Sequence, residues 1–119
     1  MKIDTTKVSY EGQVKEFGNA KLTIRPYPQS RSDVGFKNGT MIISGVNTRD
    51  MFMYCLTEWD GVLGSDDKPL KMTDDVKKMI YDFRLGSITN EKDEVTTMSD
   101  FVISEARKLT DEIANDTKN

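Results

Sequence analysis

The densest group of side chains that could do chemistry is a set of carboxylates in the second half of the chain. Five aspartates fall close together there: Asp60, Asp66, Asp67, Asp74 and Asp75. Carboxylates can bind calcium, or act as the acid and base of a hydrolase. An EF-hand loop counted from Asp60 would need oxygen ligands at positions where this chain has Val62, Gly64 and Lys71. The spacing therefore favours turns and helix caps, and we expect no metal site. No second catalytic element accompanies these aspartates, so a hydrolase that uses two carboxylates is a minor alternative.

Other residues used in catalysis are scarce. The chain has no histidine and a single cysteine, Cys55, which falls on an apolar helix face and is predicted to be a buried, unreactive thiol. No glycine-rich loop ends in Gly-Lys-Ser/Thr, and no Gly-x-Gly-x-x-Gly follows a predicted strand. We expect a protein that is not an enzyme and that uses no cofactor.

A basic segment mixes cations with aromatic rings, as surfaces that bind single-stranded nucleic acid do. Its members are Arg25, Tyr27, Arg31, Phe36 and Lys37. So few cations on an acidic chain would give weak binding that salt abolishes. A solvated loop is the favoured interpretation, and nucleic-acid binding is the minor alternative.

Length and charge indicate one small domain spanning residues 1–119, with a formal charge of -3 at pH 7. Residues 1–40 hold seven Lys/Arg against four Asp/Glu, and residues 41–119 hold ten against sixteen. No apolar run reaches the ~20 residues that span a bilayer, and the N-terminus lacks a signal-peptide pattern. We expect no membrane association and a location in the cytoplasm.

Residues 1–46 are predicted to be rich in β structure. An extended segment around Gly12 and an alternating segment over residues 20–25 form a hairpin, with Leu22 and Ile24 facing inward. Prolines, glycines and polar residues predict a mobile loop over residues 26–40. Residues 41–46 form a short buried strand or lead into the next helix.

Residues 47–115 are predicted to be helical. Helix one begins at Asn47, whose side chain caps it, and Phe52, Cys55, Leu56 and Trp59 repeat at i, i+3, i+4 and i+7 on one face. Gly61 ends this helix in a left-handed conformation and lets Val62 fold back against Leu56. Replacing Gly61 by valine is expected to lower stability.

Two further helices are predicted after a turn over residues 64–70. Thr73 caps helix two, whose apolar face carries Val76, Met79, Ile80 and Phe83 and which Gly86 ends. Residues 87–97 are polar and predicted to be irregular. Helix three starts near Ser99 and buries Val102, Ala106, Leu109 and Ile113. The expected fold class is therefore α+β, a small N-terminal β-hairpin or sheet packed with a three-helix C-terminal part.

Six apolar and aromatic residues are the candidates for contact with a partner protein. They are Met51, Tyr54, Trp59, Val62, Leu70 and Phe101. Trp59 has two interpretations, because a lone tryptophan is most often a core anchor but also suits a partner contact beside an exposed turn.

Motif order over residues 20–113 resembles small phage and prophage tail proteins, above all the tail assembly chaperones of long-tailed phages. The segments that carry the resemblance are Leu22-Thr23-Ile24-Arg25-Pro26, Tyr54-Cys55-Leu56-Thr57-Glu58-Trp59-Asp60-Gly61-Val62, and Asp67-Lys68-Pro69-Leu70-Lys71-Met72-Thr73. The Trp-x-Gly-Val turn and the following Lys-Pro-Leu are its most distinctive parts. Residues 87–97 are longer and more polar than the family pattern.

The resemblance implies a protein without catalytic activity that acts in the host bacterial cytoplasm. Such a chaperone binds the long helical tape measure protein, keeps it soluble and recruits tail tube protein during assembly. It needs exposed apolar area on a small scaffold and no catalytic site. Self-association is a further partner interaction left open. The alternatives are a structural virion component, such as a small tail or connector protein, and a nucleic-acid-binding regulator.

Overall fold

The fold is α+β, as the sequence predicts: a three-stranded antiparallel sheet packs against three helices. A computed structural model describes residues 1–31, 34–37, 40–43 and 47–116, with side chains described for 1–31 and 47–113. The elements in chain order are β1 (Gln13–Phe17), β2 (Ala20–Ile24), a short 3-10 helix (Gln29–Arg31), β3 (Val34–Lys37), β4 (Thr40–Ile43), α1 (Thr48–Cys55), β5 (Leu56–Asp60), α2 (Asp74–Phe83), β6 (Ser87–Thr89), β7 (Val95–Thr97) and α3 (Met98–Asp116).

The N-terminal hairpin is confirmed. β1 and β2 pair from Gln13 opposite Ile24 to Phe17 opposite Ala20, which leaves a two-residue turn. Gly18, at the first central position, has φ 59°, a left-handed value that favours glycine in this kind of turn. The alternation is also confirmed, because the side chains of Leu22 and Ile24 are fully buried.

Helix one is shorter than predicted, because the chain switches to a strand at Leu56. Asn47 caps α1 as expected and accepts a hydrogen bond from the backbone N–H of Asp50, but the helix ends at Cys55. Placing Trp59 on a helix face was wrong, since Trp59 lies in β5 opposite Leu22. Cys55 is buried as predicted, and burial raises the pKa of its thiol to about 12.

A bulge explains why β5 has the spacing of a helix. The register between β2 and β5 shifts by one residue, so that Ile24 pairs with Leu56 while Thr23 pairs with Glu58. The extra residue places Leu56 and Trp59, three positions apart, on the same face of the sheet. Apolar residues at i and i+3 are therefore ambiguous between helix and bulged strand.

Gly61 is left-handed as predicted, with φ 81°, but it follows a strand and not a helix. A Cβ at this position would lie 2.9 Å from the carbonyl oxygen of Asn19. Close backbone packing therefore adds to the conformational reason for glycine here.

The prediction of a mobile loop over residues 26–40 is wrong for residues 34–37 and residue 40, which belong to strands. β3 and β4 pair from Val34 opposite Ile43 to Lys37 opposite Thr40. Earlier in this segment Tyr27 is buried in the core. A strand within residues 41–46 is confirmed as far as Ile43, and residues 32, 33, 38, 39 and 44–46 lie outside the described residues.

The prediction of an irregular segment over residues 87–97 is also wrong. β6 and β7 form a hairpin with Ser87 opposite Thr97 and Thr89 opposite Val95. The side-chain oxygen of Asn90 accepts from the backbone N–H groups of Lys92 and Glu94, both at 2.9 Å. These bonds satisfy the turn locally, so a hairpin forms although its residues are mostly polar and exposed.

The core lies where the inner face of the sheet meets α1 and α3. Predicted helix three is confirmed: Val102, Ala106 and Leu109 are buried, and Ile113 is partly buried. The apolar face of helix two is only partly in the core, because Ile80 is buried while Met79 and Phe83 are exposed. The apolar face predicted for helix two therefore does not bury Phe83, which is 74% exposed.

Candidate partner-binding groove

An apolar groove of about 300 Å³ lies between the turn after β5, helix α2 and the segment that leads to α3. We call it the apolar groove. Its lining residues are Val62, Leu63, Leu70, Val76, Met79, Ile80, Leu85, Gly86 and Met98. All of them except Gly86 have apolar side chains, so the groove is suited to an apolar surface of another molecule.

Backbone hydrogen bonds hold the turn that forms one wall of the groove. Leu63 and Pro69 form an isolated antiparallel bridge, and the N–H of Leu70 donates to the carbonyl oxygen of Val62 at 2.9 Å. The side-chain oxygen of Asp66 accepts from the N–H of Lys68 at 3.1 Å. This aspartate therefore forms a turn, as the spacing of the carboxylates indicates.

Trp59 fixes this wall to the sheet. Its indole Nε1–H donates to the carbonyl oxygen of Leu70 at 2.8 Å, and its ring is partly buried against the core. Trp59 is therefore an anchor that positions Leu70, which agrees with the core interpretation of this residue.

The opposite wall is α2, whose two ends are both capped. Thr73 caps the N-terminus as predicted and accepts from the N–H of Val76. At the other end Arg84 is left-handed, and the N–H of Leu85 donates to the carbonyl oxygen of Ile80 at 3.0 Å. This is a Schellman motif with arginine where glycine is usual, so the prediction that Gly86 ends the helix was wrong by two positions.

Three large apolar side chains in the groove remain open to solvent. Leu63 is 54% exposed, and Met79 and Leu85 are each 48% exposed. Most soluble domains leave single apolar residues scattered on the surface, whereas these three line one concave site. A partner that covered them would gain hydrophobic burial without unfolding the protein.

The six predicted partner-binding residues do not form one site. Val62 and Leu70 lie together in the apolar groove. Met51 is in the core, and Phe101 packs against the ring of Phe17 with 5.1 Å between ring centroids. These two side chains therefore serve packing.

Tyr54, the remaining candidate, is covered by two arginines. The Cζ atoms of Arg25 and Arg31 lie over its ring, 3.6 Å and 4.3 Å from the centroid. Nε of Arg25 also donates to the backbone carbonyl of Tyr54 at 2.9 Å. The face of the Tyr54 ring is therefore covered by arginines of its own chain, through cation–π contacts and a hydrogen bond to the backbone.

Asp50 completes this second region, which we call the arginine–tyrosine cluster: Arg25, Tyr27, Arg31, Asp50 and Tyr54. Arg31 donates from Nε and Nη2 to the two carboxylate oxygens of Asp50, at 3.1 Å and 2.8 Å, and the hydroxyl of Tyr27 donates to the same carboxylate at 2.5 Å. The hydrogen bonds from Arg31 and Tyr27 hold the pKa of Asp50 below its usual range. Burial, together with the Asp50 carboxylate, raises the pKa of Tyr27 to about 12.

The cluster occupies three of the five residues of the predicted nucleic-acid surface. Arg25, Tyr27 and Arg31 bond to α1, so their cations and ring are not free to meet a strand of bases. The side chains of Phe36 and Lys37 lie outside the described residues.

Lys77 is a structural residue that the sequence reasoning missed. It is only 5% exposed, and its Nζ donates to the carbonyl oxygens of Met53 and Leu56 at 2.6 Å each. These bonds satisfy carbonyl groups where α1 passes into β5, and burial lowers the pKa of the amine. The one available signal is its position beside Val76 and Ile80, at the edge of the apolar face of α2.

The groove residues Leu63, Met79 and Leu85 were likewise not among the predicted contacts. Helical spacing places Met79 on the apolar face of helix two, but that spacing does not show which part of the face a neighbouring element covers.

The described residues contain neither a membrane-spanning helix nor a metal-binding cluster. No helix there is long and apolar enough to cross a bilayer, and no three metal-binding side chains come together within that part of the chain.

Comparison with protein-family models, with curated proteins and with solved structures finds no match for this chain.

Proposed function

We propose that this protein is a non-enzymatic, chaperone-like factor of phage tail assembly that binds a helical segment of the tape measure protein in the apolar groove. Binding would keep that segment soluble in the host cytoplasm until tail tube protein is recruited. The observation that carries the proposal is the exposure of Leu63, Met79 and Leu85 in one concave site.

The resemblance to tail assembly chaperones supports the same site. Its most distinctive segments are residues 59–62 and 68–70, and these two segments are joined in the wall of the groove by the bond from the N–H of Leu70 to the carbonyl oxygen of Val62 and by the bond from Trp59 to Leu70. Motif and groove therefore coincide in one part of the molecule.

Charge indicates what kind of helix would fit. Residues 64–75 carry four exposed carboxylates against two exposed lysines. The carboxylates are Asp66, Asp67, Asp74 and Asp75, and the lysines are Lys68 and Lys71. A partner helix with an apolar stripe and basic flanks would complement this rim, since opposite charges speed and orient association.

Co-expression tests the proposal. The tape measure protein should stay soluble and co-purify with the wild-type chain, and a Leu63→Asp or Met79→Asp variant should lose both effects. The matched control is Val14→Asp, which places the same charge on a residue 62% exposed on β1, outside the groove. Equal loss in the control, or full retention in both groove variants, would refute binding in the groove.

A structural virion component is the second candidate, because a groove of this kind would also suit a permanent neighbour in the particle. Mass spectrometry of purified particles separates the two. A chaperone is absent from the particle or present in trace amounts, whereas a structural component is present at fixed stoichiometry.

A further inference from the structure

A second cleft, polar and about 430 Å³ in volume, lies where the N-terminal ends of α1 and α3 meet the C-terminal end of α2. It shares no lining residue with the apolar groove. Its walls include the side chains of Thr48, Tyr81, Arg84, Ser99 and Arg107, all of which can donate hydrogen bonds.

The two arginines of this cleft come from different helices. Arg84 is the left-handed residue after α2, and Arg107 lies on α3. Neither arginine pairs with a carboxylate among the described residues. Asp82 at the rim forms an ion pair with Arg49, with 3.1 Å between Nη2 and Oδ2. Arg84 and Arg107 therefore line the cleft without a carboxylate partner among the described residues, and the planar guanidinium group matches phosphate and carboxylate oxygens.

Hydroxyl groups complete the set of donors. Ser99 is 4% exposed, and its hydroxyl has one partner among the described residues, the Thr97 hydroxyl at 3.3 Å. Thr48 and Tyr81 also line the cleft and hydrogen-bond to each other, so one of these two hydroxyls keeps its hydrogen for a ligand. The positive ends of the α1 and α3 dipoles add to the attraction for an anion but do not define the site.

The carboxylate of Asp100 adds a negative charge to the cleft, and this charge would repel a bound anion. Asp100 lines the cleft and forms no ion pair among the described residues, while Asp82 is neutralised by Arg49. The two arginines therefore exceed the free negative charge by one. This balance favours a doubly charged phosphate group over a singly charged carboxylate, because the dianion gains more from each guanidinium.

We propose that the cleft binds a phosphate group, held by Arg84 and Arg107 with the buried Ser99 hydroxyl as a third donor. The inference is independent of the proposed function, since no residue of the apolar groove takes part. A small phosphorylated molecule or inorganic phosphate fits the volume of the cleft.

Phosphate titration of the full chain tests this site, with NMR shifts of the Ser99 amide and the Arg84 side chain as the readout and sodium chloride holding ionic strength constant. Arg84→Gln and Arg107→Gln should each weaken binding at least about tenfold, the loss expected for one charge-assisted hydrogen bond. Lys108→Gln removes the same charge from the neighbouring residue on α3, outside the cleft, and should leave the affinity unchanged.

The Asp100→Asn substitution should change phosphate affinity in the opposite direction. Removing this carboxylate should strengthen phosphate binding, a gain that damage to the fold would not produce. Acetate, titrated in parallel, should bind more weakly. The proposal is overturned if phosphate causes no saturable shifts, if Lys108→Gln weakens binding as much as the arginine variants do, or if acetate binds as well as phosphate.

Discussion

The arginine–tyrosine cluster and the apolar groove both have aromatic or apolar residues near the surface. They differ in how far other side chains of the protein cover those residues. In the cluster, Tyr27 donates to the Asp50 carboxylate, which also pairs with Arg31, and Arg25 and Arg31 lie over the ring of Tyr54. In the groove, Leu63, Met79 and Leu85 keep about half of their surface in water. The difference shows that an apolar residue near the surface suggests a partner site only where its own chain leaves it uncovered.

The largest expected effect is at Lys77, which ties α2 to the end of α1 and the start of β5. A Lys77→Met substitution keeps most of the volume but leaves the carbonyl groups of Met53 and Leu56 without their donor. Buried unsatisfied carbonyls cost about 1–3 kcal/mol each, so we expect a loss of roughly 2–4 kcal/mol in the free energy of unfolding. Urea unfolding measures it, with the exposed neighbour Lys78→Met as control. Equal midpoints for the two variants would contradict the structural role of Lys77.

Gly61→Val comes next and tests how much the bend after β5, which leads into the wall of the groove, contributes to stability. Valine would have to adopt φ 81° with its Cβ 2.9 Å from the Asn19 carbonyl oxygen. We expect a loss of about 2 kcal/mol or more, because a β-branched residue in this region is strained and the contact is with backbone.

Gly64→Ala is the matched control for that bend. The nearest atom to its added Cβ would be Oδ1 of the Asp66 side chain, at 3.1 Å, while Leu70 Cδ1 and the Lys68 carbonyl oxygen lie at an ordinary contact distance of 3.9 Å, and Gly64 has no left-handed φ. Thermal unfolding should show a much smaller loss for Gly64→Ala than for Gly61→Val. Similar losses would show that the close approach to Asn19 does not matter.

Acid should weaken the arginine–tyrosine cluster. The pKa of Asp50 is lowered in the folded protein, so its contribution is present above the unfolded pKa of about 4 and is lost as pH falls through the folded value. Asp50→Asn should cost about 1–2 kcal/mol at pH 7, since the pair is partly exposed. The cost should shrink as pH falls below 4, which urea unfolding at several pH values measures. A cost independent of pH would contradict the assigned charge.

The groove variants should have the smallest effect on stability. Met79→Ser changes a side chain that is already half exposed, and we expect a change of about 0.5 kcal/mol or less. Urea unfolding measures this change. The same substitution should reduce partner binding strongly, whereas Tyr54→Phe should leave binding unchanged. A Met79→Ser protein that is destabilised by several kcal/mol would place Met79 in the core.

Local sequence signals predicted much of the fold. The caps at Asn47 and Thr73, the alternation of Leu22 and Ile24, and the apolar face of α3 are all confirmed, because each depends on neighbours in the chain. The position of β5 could not be predicted in this way, since its bulge places Leu56 and Trp59 at helical spacing. Only pairing with β2 distinguishes the two structures.

The site was harder to predict than the fold because it depends on what covers each residue. Tyr54 and Met79 are both apolar residues on predicted helices, yet one is covered by Arg25 and Arg31 and the other is open. Arg84 at the left-handed position and Lys77 in the interior also break the usual residue preferences, and the only local signal for either is the position of Lys77 at the edge of the apolar face of α2.

Hydrogen–deuterium exchange of the chain, alone and in complex with the tape measure protein, tests the central claim most directly. We predict that binding protects the backbone over residues 62–64 and 79–86, while residues 27–31 and 50–54 exchange as in the free protein. Protection of the arginine–tyrosine cluster, with no change at the apolar groove, would contradict the account.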